Sequence, residues 1–171
     1  MLLVNDNPPD QGKNWKFIKR ISNNYKNIIC LQLSRNVGQQ LAVICGIEHS
    51  KGKYIVTMDD DDQHNIKYVS DMLKKIKYYD VVIAKLISRK ESNVIRLLGT
   101  YVVRKISTKI FKLENELYFS SFRLIRGEIA RKVTQLKTAD PVFGFELLRI
   151  TSKVCNIEVN HDKRFTKSNY S

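Results

Sequence analysis

Two periodicities alternate along this chain, and that alternation restricts its fold more than any other feature. Short β-branched or apolar runs are each followed by a longer stretch whose apolar residues recur at helical spacing. Leu2–Asn5 is an apolar run that stops at Asp6, and Asn7-Pro8-Pro9-Asp10-Gln11-Gly12 is a turn cluster. Asn14–Tyr25 carries Trp15, Ile18, Ser22 and Tyr25 on one helical face, and Ile28–Leu33 reads as a buried strand. Val37–His49 is a helix with Gly52 shortly after its stop, and Tyr54–Met58 is a strand ending in Asp59. Ile66–Tyr78 is an amphipathic helix, Val81–Ala84 a strand and Val94–Phe111 a long helix bearing Arg96, Arg104, Lys105 and Lys109. Phe119–Ile125 is a strand, Glu128–Gln135 and Val142–Lys153 are helices, and Ile157–Asn160 is a last strand. Strands separated by helices predict an α/β fold with a mostly parallel sheet, and with neither repeat nor linker the chain reads as one domain over 1–171.

In such sheets ligands gather at the carboxyl ends of the strands. Asp6 and Asp59 both stand at predicted strand ends, so both are expected on one edge. Asp59-Asp60-Asp61-Asp62 is four carboxylates in a row, in a chain whose net charge is +13. Such groups repel one another unless something compensates, and a hard cation such as Mg²⁺ or Mn²⁺, shared with substrate phosphates, does so. In extended chain Asp59, Asp61 and Gln63 point to one side and Asp60 and Asp62 to another. The competing reading is a solvated acidic turn, with Asp62 capping the helix that begins near Ile66.

The basic balance admits three partners: nucleic acid, an anionic membrane surface, or phosphate-bearing substrates. A composition rich in Lys, Asn and Ile is also what genomic base composition alone produces. No zinc signature, aromatic single-strand platform or basic recognition helix supports nucleic acid, and the acidic cluster would repel phosphates without metal. Cys30, Cys45 and Cys155 are scattered and lack CxxC spacing, which suits reduced thiols in a cytosolic compartment. No apolar run is long enough to span a bilayer and no secretory signal is visible.

Tyr54-Ile-Val-Thr-Met-Asp59-Asp-Asp-Asp-Gln63-His64 resembles the "v-i-x-M-D-x-D-x-Q-x-P" segment of family 2 glycosyltransferases, with Asn65 in place of the proline. The branch it looks most like is that of the polyprenyl-phosphate and dolichol-phosphate sugar transferases. Five further segments follow in the family's order. Val4-Asn5-Asp6-Asn7-Pro8-Pro9-Asp10 resembles "v-D-D-G-S-x-D". Leu33-Ser34-Arg35-Asn36-Val37-Gly38-Gln39, then Ala42 and Gly46, resembles "l-x-R-N-x-G-x" with "A-x-x-x-G". Asp80-Val-Val with Ser88-Arg89-Lys90-Glu91-Ser92 resembles "D-V-V-x-G-x-R-x-x-R-x-E-S". Ser121-Phe122-Arg123-Leu124 resembles "D-F-R-L", and Arg164 to Tyr170 the closing "R-x-x-G-K-S-N-Y". The resemblance covers nearly the whole chain.

It implies a GT-A, Rossmann-like fold and inverting transfer of a sugar from a nucleotide-diphosphate sugar to an acceptor, for cell-surface glycan synthesis. A lipid phosphate is already anionic and needs no strong general base, so catalysis rests on positioning and charge stabilisation. Carried onto this sequence, Asp6 contacts the nucleoside, Asn36 and Gly38 are further substrate-binding residues, and Asp59, Asp61 and Gln63 hold Mg²⁺ or Mn²⁺. Asp61, Arg89 and Arg123 are the expected catalytic residues; Arg89 and Arg96 face the acceptor phosphate, and Lys90 is a further substrate-binding residue. Arg164, Ser168 and Tyr170 close over the donor diphosphate. The expected location is cytoplasmic, at the inner face of the membrane, in peripheral contact with anionic lipid.

Several departures qualify the likeness. The family pattern begins with a strand and a "P-x-Y-N" turn ahead of the Asp6 turn, whereas here Met1 stands four residues before Asn5. The expectation is a sheet lacking its first strand, between the strand ending at Asp6 and that ending at Asp59. A truncated or degenerate gene, a misplaced start, or a second copy or complementing chain would each account for it. Ala84-Lys85-Leu86 replaces "G-x-R", Ser121 replaces Asp, and the closing motif lacks its glycine. Many relatives continue into membrane helices where this sequence stops at Ser171. Two alternatives follow: transfer to a glycan hydroxyl, for which Glu146 or Asp140 would be the base, and an inactive glycosyltransferase remnant or subunit.

Overall fold

The computed structural model describes residues 1–7, 13–60, 65–87, 94–113, 116–136 and 138–160. Its strands are β1 (Leu2–Asn5), β2 (Ile29–Gln32), β3 (Tyr54–Thr57), β4 (Val81–Ile87), β5 (Arg123–Arg126) and β6 (Val154–Asn160). Its helices are α1 (Lys13–Asn24), α2 (Gln39–Glu48), α3 (Val69–Lys75), α4 (Val94–Ile110), α5 (Gly127–Thr134) and α6 (Phe143–Ile150). A 3₁₀ turn over Ile66–Tyr68 leads into α3. Its cap is Asn65, whose side chain accepts from Lys67 N at 3.0 Å, so the residue in the family's proline position satisfies an otherwise orphaned amide.

The strands form two sheets. β1 and β2 pair in parallel, Leu2 opposite Ile29 and Asn5 opposite Gln32. The other sheet runs in the order β3-β5-β4-β6. Within it β4 and β6 are parallel over seven pairs, from Val81–Val154 to Ile87–Asn160. β5 runs antiparallel to both β3 and β4. Among the described residues no strand joins β1 to β3.

The sheet is therefore mixed rather than mostly parallel, which corrects the simple alternation argument. The cause lies in the β4–β5 connection, which returns the chain to the carboxyl end of β4 rather than to its start, with Ala84 N donating to Phe122 O. Arg104 of α4 stacks on the Tyr118 ring at 4.2 Å, and Lys85 near the end of β4 lies over the same ring at 4.7 Å. The chain thus enters β5 from the carboxyl end, and the strand must run backwards.

β4 explains why this sheet is the rigid part. Val81, Val82, Ile83 and Ala84 are all buried, so the run is apolar on both faces, as in strands covered from both sides. Alternation sends Val81 and Ile83 into a cluster with Ile47, Ile125, Val133, Phe143 and Leu147, beneath α2, α5 and α6. Val82 and Ala84 face the opposite cluster of Met72, Ile76, Phe122, Leu124 and Val159, beneath α3. Burying each large aliphatic side chain of this kind contributes about 1.5–3 kcal/mol. α2 bridges the sheets: Ile47 sits in the first cluster, while a Cβ on Gly46 would come within 3.2 Å of Val4 Cγ2 of β1.

Candidate active site

The carboxyl end of β3, the start of α2 and the entry to β5 meet around one cleft of about 430 Å³. Its polar side is built from Gln39, Thr57, Asp59, Ser120, Ser121 and Arg123, and its apolar side from Val43, Val103, Phe119, Val142 and Phe145. That size and mixed lining suit a small organic ligand.

Asp59 follows β3 and is gripped on both oxygens. Gln39 Nε2 donates to Oδ1 at 2.5 Å, and Ser121 Oγ donates to Oδ2 at 2.6 Å. Thr57, two residues earlier and hence on the same side of the chain, donates its hydroxyl to Ser121 O at 2.6 Å. Carboxylate oxygens are also the atoms that ligate hard cations. Among the described residues no group of three or more His, Cys, Asp or Glu side chains is gathered for a metal. Asp61 and Gln63 lie outside those residues.

Asp6 follows β1 and serves the loop before α2. Its Oδ1 accepts from Val37 N and its Oδ2 from Gly38 N, both at 2.8 Å, and Asn36 Oδ1 also accepts from Gly38 N at 3.2 Å. Gly38 has φ 86 and ψ 156, a conformation open in practice only to glycine. It is the residue immediately before Gln39, so one short loop links Asp6, outside the cleft, to the Gln39 side chain that bonds Asp59.

Arg123 lies at the floor, 8% exposed, its guanidinium 5.2 Å from the Phe143 ring centre and its Nε donating to Ser120 O. Burial pulls its pKa down to about 10, with the Asp59 charge opposing the shift. It is therefore still a cation at neutral pH, held beside the carboxylate.

The structure thus brings Asp6, Asn36, Gly38, Asp59 and Arg123 to one region. Arg96 falls in α4, its side chain outside the described set, and Arg89, Lys90, Arg164, Ser168 and Tyr170 lie outside the described residues altogether. Lys85 is turned elsewhere, donating to Glu158 at 2.7 Å, which raises its pKa. Glu146 is buried on α6 and ion-paired with Arg149 at 2.7 Å, while Asp140 is exposed. Sequence reasoning assigned no role to Gln39, which stands next to a glycine whose conformation fixes it, and saw Ser121 only as a lost carboxylate. Phe119 and Phe145, in edge contact at 5.0 Å between ring centres, carried no motif at all.

The family model described as glycosyl transferase family 2 matches residues 1–134. The chain belongs to this family. A glycosyltransferase YkcC of Bacillus subtilis (strain 168) is 23% identical over 165 residues, covering 96% of this chain and 50% of that protein. The undecaprenyl-phosphate 4-deoxy-4-formamido-L-arabinose transferase of Photorhabdus laumondii is 25% identical over 173 residues, covering 100% of this chain and 53% of its own. TarS 1-349 of S. aureus in complex with UDP superposes with a TM-score of 0.58 at 17% identity, over 93% of this chain and 50% of that one. The chain spans about half the length of these relatives, and at such identity the structural likeness speaks for the fold. Asp59, just beyond β3, is the first aspartate of the segment that resembles "M-D-x-D".

Proposed function

We propose that the protein transfers a sugar from a nucleotide-diphosphate sugar to a polyprenyl phosphate, with inversion, at a membrane surface. The carrying observation is the make-up of the cleft. Asp59 is the one carboxylate among the described residues that line it, and it is already engaged by Gln39 and Ser121. Glu146, the candidate base for a hydroxyl acceptor, is paired with Arg149 instead. Among the described lining residues no second carboxylate stands ready as a base, which suits an acceptor that arrives ionised, as a phosphate does. The relatives named for undecaprenyl phosphate, and the UDP bound by TarS, point the same way.

In this reading the nucleotide lies across the Asp6 loop, with Asn36 and Gly38 beside it, and the diphosphate lies at Asp59. Mg²⁺ or Mn²⁺, held by Asp59, Asp61 and Gln63, supplies charge neutralisation of the leaving diphosphate. Arg123 adds a fixed cation at the floor, worth more there than in water because it is desolvated. Arg89, Lys90 and Arg96 orient the acceptor phosphate, and Arg164, Ser168 and Tyr170 cover the donor. The whole operates from the cytoplasmic face of the membrane.

Calorimetric titration with UDP, GDP and dTDP, each with Mn²⁺ and with EDTA, tests this beside Asp61→Ala. The expected result is metal-dependent binding of one nucleotide that the substitution abolishes. A cooperatively folded chain that binds none of the three in Mn²⁺ overturns the reading and leaves a remnant or subunit.

A further inference from the structure

We infer that Gln39 and Ser121 are positioning residues that fix the Asp59 carboxylate in one orientation toward the cleft, and that Asp6 governs the same carboxylate at second hand. The inference rests on the reading of Asp59 as a ligand of the donor site and adds to it the groups that aim it.

An aspartate beyond the end of a strand has two soft torsions and, on its own, samples several rotamers. Here each oxygen takes a donor from a different part of the chain: Gln39 opens α2, and Ser121 precedes β5. Rotating the carboxylate about either torsion breaks at least one of the two bonds. Ser121 is itself braced, since Thr57 Oγ1 donates to its carbonyl. Gln39 is braced from outside the cleft, through the loop before α2. The Val37 and Gly38 amides are both bound by Asp6, and the left-handed φ of Gly38 sets the direction in which α2 begins. Gln40 accepts from Phe143 N at 3.0 Å and ties the same turn to α6. A continuous path therefore runs from Asp6 through the loop and Gln39 to Asp59. Carboxylates that ligate metals depend on such hydrogen-bonded supports, and losing one typically costs about 10–100-fold in metal affinity.

The variants are Gln39→Leu, which keeps bulk and loses the donor, Ser121→Ala, Ser121→Thr, which keeps the hydroxyl, and Asp6→Ala. Gln39 is exposed, so its substitution is expected to leave the melting temperature unchanged. Two readouts are taken on each. The first is the side-chain coupling constants of Asp59 in the unliganded protein, which report whether one rotamer dominates. The second is the Mn²⁺ dissociation constant with UDP present. A single Asp59 rotamer in the wild type and Ser121→Thr, averaged in Gln39→Leu, Ser121→Ala and Asp6→Ala, with Mn²⁺ binding weakened roughly tenfold, supports the inference. Averaging already present in the wild type, or couplings and Mn²⁺ affinity unmoved by Gln39→Leu and Ser121→Ala, overturns it. A wild type that binds no Mn²⁺ sinks the proposed function, while the coupling constants still decide whether Gln39 and Ser121 position Asp59.

Discussion

Single residues carry this site because the strand ends only deliver backbone, and the side chains must then be aimed. Gly38 is the clearest case. Nothing lies within 4 Å of where its Cβ would be, so Gly38→Ala meets no clash, and any cost comes from the backbone. At φ 86 and ψ 156 that cost is about 1–3 kcal/mol. Chemical denaturation is expected to show it, along with a loosened Asp59; a variant as stable as the wild type would mean the loop relaxes freely and Asp6 holds nothing. Arg123 makes the complementary point. Arg123→Met keeps the volume over Phe143 but removes the charge from beside Asp59. The expected outcome is a folded protein with nucleotide-diphosphate affinity reduced at least tenfold, measured by the same calorimetry; equal affinity would make Arg123 a packing residue.

At the scale of elements, the sequence was most legible where burial is two-sided or apolar residues recur at helical spacing. β4 is buried on both faces and reads as an uninterrupted apolar run, while α1, α2 and α4 match their periodic stretches to within two residues at each end. β5 was harder. Phe119–Phe122 looks like strand by composition, yet Phe119 and Ser120 wall the cleft and Phe122 packs beneath the sheet, so regular pairing starts only at Arg123. Its direction was not legible at all, since nothing local records to which end of the sheet the connection after β4 returns the chain. The donors to Asp59 were hidden for a related reason: they are 20 and 62 residues away from it in sequence. α4 carries a prediction of its own. Val102, Ile106 and Ile110 are 45–65% exposed along one face, and Lys105 and Lys109 run along one edge of it. An apolar stripe edged by lysines is the pattern of a helix lying in a bilayer interface. No helix among the described residues is long and apolar enough to cross a membrane, so contact through α4 would be peripheral. Co-sedimentation with vesicles containing anionic lipid is expected to fall roughly tenfold or more in Ile106→Glu, because burying such a side chain is worth about 1.5–3 kcal/mol. Unchanged sedimentation would remove α4 from the membrane-facing surface.

The molecule as a whole is divided along the line its ligand is proposed to cross. Asp6 belongs to the β1–β2 sheet and Asp59 to the sheet of β3, β4, β5 and β6, and the two are joined through α2 and its preceding loop. The sheets are unequally anchored. Leu2, Leu3 and Val4 are only half-buried and Ile29 is 55% exposed, whereas Val81, Val82 and Ala84 are fully buried. Regions with little buried apolar area open locally at lower free energy than the core. The amides of Ile29 and Leu33, bonded to Met1 O and Asn5 O, should therefore exchange with deuterium at least 100-fold faster than that of Ala84, bonded to Phe122 O, a gap of about 2.7 kcal/mol. A ligand spanning Asp6 and Asp59 binds only when both sheets are in place, so it stabilises the weaker one by mass action. UDP with Mn²⁺ should slow exchange at Ile29 and Leu33 while leaving Ala84 nearly unchanged. Equal exchange across both sheets in the free protein would show that α2 already welds them into one cooperative unit. Slowing at Ala84 alone would place the nucleotide on the larger sheet and leave Asp6 with its loop-holding role only.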